Sequence, residues 1–196
     1  MTKRLIEIYD DILEPHVAEY IDAEVRTQKW QYDYQSNKGE GNPNFHWHNL
    51  CGRGEKEVRD NGYEWLLPIW ETAKFKYNFE KKYDVDTFKR LYMNAHTYGV
   101  EPHMHQDDGD FTMIYYPRMD WKLEWGGGTF VYDEEKTRVD VLAEYRGNRL
   151  LVFDAWLPHC AQAVRRECYQ LRAVVVFKVY QRSANHQRLD FYKNEN

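Results

Sequence analysis

Polar and apolar residues change their rhythm near residue 84 of this chain. Before that point, residues 4–9 alternate as a short strand would, and residues 15–28 place Val17, Tyr20, Ile21 and Val25 at helical spacing. Residues 35–62 hold Gly, Asn and charge in place of either period, from Ser36 to Pro43 and again from Cys51 to Glu57, and so predict a long loop of the kind that closes over ligands. From Gly62 to Tyr83, the residues Trp65, Ile69, Ala73 and Phe79 share one helical face, with Pro68 tolerable only near a first turn.

After Asp84 the pattern becomes that of strands. The runs 90–95, 111–116, 128–132, 149–153 and 172–180 are rich in β-branched and aromatic residues. Turn signals at 108–110, 126–128 and 146–148 separate them. Several short strands with no helical crossover between them predict an antiparallel sandwich, barrel or jelly roll. The expected class is therefore α+β, an N-terminal strand and supporting helices leading into a β core. The whole of 1–196 reads as one domain: support and loop over 1–89, β core over 90–182, and a C-terminal tail over 183–196.

Composition narrows the function. With 42% hydrophobic and 16% aromatic residues, the chain has enough apolar surface to bury a core without disulfides. A net charge of -5 argues against a surface built to follow a phosphate backbone. Cys51, Cys160 and Cys168 form no CxxC and leave one over, which fits free thiols in a reducing compartment. The N-terminal decapeptide lacks an apolar stretch and no window approaches a membrane span, so the expected location is cytoplasmic.

The chemistry concentrates between 94 and 178. In extended backbone, residues two apart face the same way, so His105 and Asp107 can present an imidazole and a carboxylate to one cation. His159, 52 residues after Asp107, is a candidate third ligand. Two histidines and one carboxylate make the facial set that suits non-haem Fe(II). His46 and His48 are a second same-face pair without an acid at ligand spacing, and are expected at the loop surface or against a substrate.

Tyr98 and Gly99, His105 with Asp107, the run 111–116, Trp125 to Thr129, Gly147 to Asp154, His159 and the run 169–172 together resemble, in order and spacing, the 2-oxoglutarate and Fe(II)-dependent oxygenases, especially their prolyl 4-hydroxylase-like branch. The resemblance covers about residues 90–180 and implies a double-stranded β-helix (jelly-roll) core. It further implies that His105, Asp107 and His159 hold Fe(II) and that the guanidinium of Arg172 pairs with the distal carboxylate of 2-oxoglutarate, whose shape it matches. An internal acid is the alternative partner for Arg172, and Lys178, six positions on and on the same face, is its possible substitute.

By the same resemblance Tyr116, Thr129 (or Thr112), and Asn94 or Tyr98 are expected near the co-substrate. His103 and Trp156 are expected to face substrate, and Trp121 and Trp125 are further candidates for a wall of that groove. The implied activity is O2-dependent hydroxylation of a C–H bond with release of succinate and CO2, ascorbate serving as a reductant. A prolyl residue in a peptide or protein is the expected substrate. A small molecule, sugar, lipid or nucleobase is the alternative, as is a jelly-roll, cupin-like binding module without turnover.

Overall fold

A computed structural model describes residues 4–36 and 45–182. The proposed tail at 183–196 and the tip of the proposed lid at 37–44 lie outside the described residues. The chain opens with strand β1 (Ile6–Tyr9) and helix α1 (Pro15–Thr27). Pro15 sits in the first turn of α1, where its missing N–H costs nothing. The buried stripe of the helix is Ala18, Ile21, Asp22 and Val25, while Tyr20 is exposed. Asp22 stays buried because Arg26 donates to it at 2.9 Å and the Arg118 guanidinium lies 3.1 Å away.

Over its described residues, 35–36 and 45–62, the segment expected to be a long loop is largely regular. Strands β2 (Gln31–Tyr34) and β3 (His46–Gly52) pair antiparallel, and helix α2 (Gly54–Asp60) follows β3 after one residue. Glycine misled the pattern because it serves close packing here. A Cβ on Gly52 would come within 2.6 Å of the Val58 backbone nitrogen, so only glycine lets α2 fold back on its own strand. His46 and His48 therefore lie in a strand.

The single helix expected over 62–83 is broken into short turns: a 3-10 turn over Glu64–Leu66, α3 (Leu67–Glu71), a wide turn over Thr72–Lys76, and α4 (Phe79–Lys82). Asn78, with φ of +58°, interrupts the helical backbone, and Pro68 falls in the first turn of α3. The apolar face survives the breaks: Leu66, Leu67, Ile69, Trp70, Ala73 and Phe79 are all buried.

The remaining strands are β4 (Val85–His96), β5 (Phe111–Tyr116), β6 (Thr129–Tyr132), β7 (Val139–Ala143), β8 (Arg149–Asp154), β9 (His159–Ala161) and β10 (Arg172–Gln181). They form a seven-stranded sheet in the order β1-β8-β5-β10-β4-β3-β2 and a three-stranded sheet in the order β7-β6-β9, with every pairing antiparallel. This is the jelly-roll core on a helical support. Strand alternation gives the large sheet two faces. Leu91, Met93, Val175 and Phe177 point to the helices, whereas Tyr92, Ile114, Val174 and Val176 point to the small sheet. The functional residues open between the two sheets. No helix among the described residues is long and apolar enough to cross a membrane.

Trp70 joins the helical layer to the sheet, its ring 5.5 Å from Phe88 and 6.3 Å from Phe177. Trp70→Ala is expected to lower unfolding free energy by about 3–5 kcal/mol, the cost of emptying a buried aromatic site. Urea denaturation reads this directly, and a loss below about 1 kcal/mol would show that the two layers are held together elsewhere.

Candidate metal centre

Backbone pairing builds the centre. His105 lies outside the named strands, yet its N–H donates to the His159 carbonyl at 2.9 Å and the His159 N–H donates back to the His105 carbonyl at 2.9 Å. The Asp107 N–H donates to the Ala155 carbonyl at 2.8 Å. These bonds hold the extended segment 105–107 against the end of β8 and the start of β9, so the three side chains converge.

Both imidazoles are oriented by carbonyls two residues earlier in the chain. His105 Nδ1 is 2.9 Å from the His103 carbonyl, and His159 Nδ1 is 2.9 Å from that of Leu157. A carbonyl only accepts, so each Nδ1 carries the proton and each Nε2 is left as a lone-pair donor. The Nε2 atoms face the acid: His105 Nε2 lies 3.6 Å from Asp107 Oδ1, and His159 Nε2 lies 3.2 Å from Asp107 Oδ2. One ligand atom from each of the three residues falls within 4.8 Å of the others. Burial, reinforced by His159, pushes the His105 pKa down to about 4, so this ring is a neutral ligand at neutral pH. The donor set and its spacing fit a divalent transition metal.

Lys178 has a different role from the one its sequence position suggests. It shares the inner face of β10 with Arg172 but is not a second clamp. Only 1% exposed, it forms an ion pair with Asp107 Oδ2 and donates to Thr112 Oγ1 at 3.2 Å. Thr112 in turn donates to Asp107 Oδ2 at 2.7 Å, so it supports the acid. Burial opposes ionisation of Asp107, but Lys178 first, and then His159 and His105, hold its pKa well below the usual carboxylate range.

Arg172 is 2% exposed and lines the same cavity. Its Nε donates to the Gly127 carbonyl at 2.5 Å, and its Nη2 to the Gly128 carbonyl at 3.1 Å and to Thr129 Oγ1 at 3.5 Å. Gly127 permits this approach. Its φ is +80°, and a Cβ there would lie 3.3 Å from Arg172 Cδ. Among the described residues no Asp or Glu pairs with Arg172, which removes the internal-acid alternative there. Burial lowers its pKa, as expected for a cation without a counter-ion.

The cavity encloses about 640 Å³, including its open mouth. Asn94, His103 and Thr129 line it. Tyr116 stands behind Thr129, donating to its hydroxyl at 2.8 Å, while Tyr115 points into the helical core. Two other candidates lie elsewhere. Tyr98 is 44% exposed with its ring against Tyr169, and Trp156 packs half-buried on the core between the sheets. Trp121 and Trp125 pack on each other with ring centres 5.2 Å apart, outside the cavity wall. His46 and His96 do line the cavity, and strand parity with Asn94 would have placed His96 there from sequence alone.

No protein-family model matches the chain. No curated protein matches it in sequence. Solved structures identify the fold as the one used by 2-oxoglutarate and Fe(II) oxygenases. A prolyl-4-hydroxylase from Pseudomonas putida superposes with a TM-score of 0.66 at 12% identity, over 92% of this chain and 94% of that one. A Trichoplax adhaerens prolyl hydroxylase, solved with a peptide fragment of the hypoxia inducible factor oxygen degradation domain, gives 0.58 at 15% identity over 90% and 83%. HygX from Streptomyces hygroscopicus, solved with nickel and 2-oxoglutarate bound, gives 0.58 at 9% identity over 91% and 83%.

Two measurements test these electrostatics in metal-free protein. Lys178→Met strands a buried carboxylate and is expected to lower unfolding free energy by about 3–5 kcal/mol, read by denaturant titration. A change near zero would show the ion pair to be dispensable. The second concerns His46, whose pKa is also pushed down to about 4, chiefly by burial. Unfolded chain then takes up the proton first, so stability is full above pH about 6.5 and is lost as pH falls toward 4. By pH 5 the loss from this ring is on the order of 2 kcal/mol. His46→Leu should flatten the pH dependence between 7 and 5 by that amount, and an unchanged slope would contradict the assignment.

Proposed function

We propose that this chain is a 2-oxoglutarate- and Fe(II)-dependent dioxygenase that hydroxylates a C–H bond, with a prolyl residue of a peptide or protein as the favoured substrate. The observation that carries the reading is the buried guanidinium of Arg172, without an acidic partner among the described residues, in the same cavity as the His105, Asp107 and His159 ligand atoms. A dicarboxylic oxo acid fits that pair of features, because one end can chelate a metal while the other supplies the missing anion.

His105, Asp107 and His159 would hold the iron, and Arg172, with Thr129 held by Tyr116, would hold the distal carboxylate. When bound, iron and 2-oxoglutarate supply oxidation by O2: one oxygen atom enters the substrate and the other enters succinate as CO2 leaves. The protein's own contribution is positional. Backbone bonds fix the imidazole tautomers, Lys178 and Thr112 fix the Asp107 carboxylate, and the apolar walls of Ile114, Val174 and Val176 keep water from the space between metal and clamp.

Two of the structural neighbours are prolyl hydroxylases and one was solved with a peptide, which supports the peptide reading. The three cysteines are free, which agrees with a reducing compartment such as the cytoplasm. Ascorbate would serve as the reductant keeping the iron ferrous.

The test is succinate release from 2-oxoglutarate with Fe(II) and O2, together with mass spectrometry for an added oxygen atom across a panel of prolyl peptides. Wild type should release succinate and Asp107→Ala should not. Arg172→Met should raise the KM for 2-oxoglutarate on the order of a hundredfold, the equivalent of losing one partner of a buried charge pair. Equal background in wild type and Asp107→Ala would instead favour a binding module.

A further inference from the structure

The inner face of the large sheet carries a pair of side chains that neither the metal nor the clamp uses. Strand register sets Arg172 of β10 directly opposite His96 of β4. Trp47 of β3 pairs with Ala95, so His46 continues the same row, and its ring lies 5.1 Å from that of His96 at 82°. Arg172, His96 and His46 thus form a line across three strands, spaced about 4.8 Å apart per strand. His46 stands two strand spacings from Arg172.

Both rings are nearly buried, at 5% and 8% exposure, and both line the cavity. His46 Nε2 and His96 Nδ1 have no hydrogen-bond partner among the described residues. A buried polar nitrogen without a partner carries its full desolvation cost, so two of them on neighbouring residues of the cavity wall mark a place where a ligand supplies the partners. A metal ion is the wrong occupant. Among the described residues the only group of three or more His, Cys, Asp or Glu side chains with ligand atoms within 4.8 Å of one another is His105, Asp107 and His159, so His46 and His96 lack the third protein ligand a metal site needs.

The chemistry of the rings narrows the class of group. Burial, then neighbouring charges including Arg172, keeps His46 and His96 uncharged at neutral pH. Neutral imidazole has no charge to offer an anion, and Arg172 stands nearby to repel a cation. Each ring instead carries one N–H donor and one lone-pair acceptor. An amide matches such a pair, since it presents a carbonyl acceptor and an N–H donor in fixed relation.

We propose that His46 and His96 form a substrate subsite that reads an uncharged backbone amide of a peptide beside the reacting carbon. This rests on the oxygenase reading of the cavity and adds to it the surface that selects the substrate.

The test uses protein loaded with Zn(II), which blocks turnover, with and without 2-oxoglutarate, and with histidine labelled by 15N. N-acetyl-L-proline methylamide and N-acetyl-L-alanine methylamide are the probes, and the ring nitrogens are read by long-range 1H–15N correlation. Either probe should move the His46 and His96 ring signals in wild type. His46→Leu and His96→Leu should each weaken probe affinity about tenfold, or about 1.4 kcal/mol, with His46→Gln recovering part of it. Affinity for 2-oxoglutarate should hold within about twofold, less than about 0.4 kcal/mol. The subsite is overturned if neither probe shifts these rings in wild type, if the leucine variants bind the probes unchanged, or if affinity for 2-oxoglutarate falls in parallel, which would make the pair part of the clamp. Failure of wild type to bind 2-oxoglutarate sinks the oxygenase reading separately, because the probe shifts are also read without it.

Discussion

The reciprocal backbone hydrogen bonds between His105 and His159 are the constraint on which the site depends. They bind the segment that leaves β4 to the first residue of β9, and so tie the two sheets together at the point where three ligand atoms must meet. Because the same two residues orient their rings through carbonyls of their own segments, the imidazole directions follow from the backbone and not from flexible side-chain packing. A site held in this way has little ordering left to do when a metal arrives.

The electrostatics follow from β10. Its inner face brings two cations into a low-dielectric space six residues apart, and their surroundings differ. Lys178 meets Asp107 and Thr112 and is satisfied within the fold. Arg172 meets only backbone carbonyls and a hydroxyl, and is left one anion short. That asymmetry divides the cavity into an end where a satisfied carboxylate stands with two imidazoles and an end with a buried cation that lacks an acidic partner among the described residues. Beside Arg172, His96 and His46 continue the row with two buried imidazoles.

Much of the core was legible from the strand runs after residue 84, because β-branched residues and glycine turns state their period locally. The nearness of His105 and Asp107 was legible for the same reason, because parity in an extended segment puts them on one face. What stayed hidden depends on long-range pairing. Strand β3 read as loop because Gly52 at its end, which allows α2 to pack back, and Gly54 just after it look like turn chemistry. The helix expected over 62–83 is broken into four short turns, with Pro68 in the first turn of α3 and left-handed Asn78 just before α4, while its apolar face persists across the breaks. Lys178 looked like a rival to Arg172, since parity gives a face but not a partner. Tyr98, two residues past the end of β4, turned outward instead of following Asn94 into the cavity.

The most direct measurement is a crystal structure of the protein grown with Ni(II) and 2-oxoglutarate. One metal ion on His105, Asp107 and His159, with the distal carboxylate of the oxo acid paired to Arg172, is the expected result. A metal bound elsewhere, or Arg172 paired with an acid of the protein itself, would contradict it.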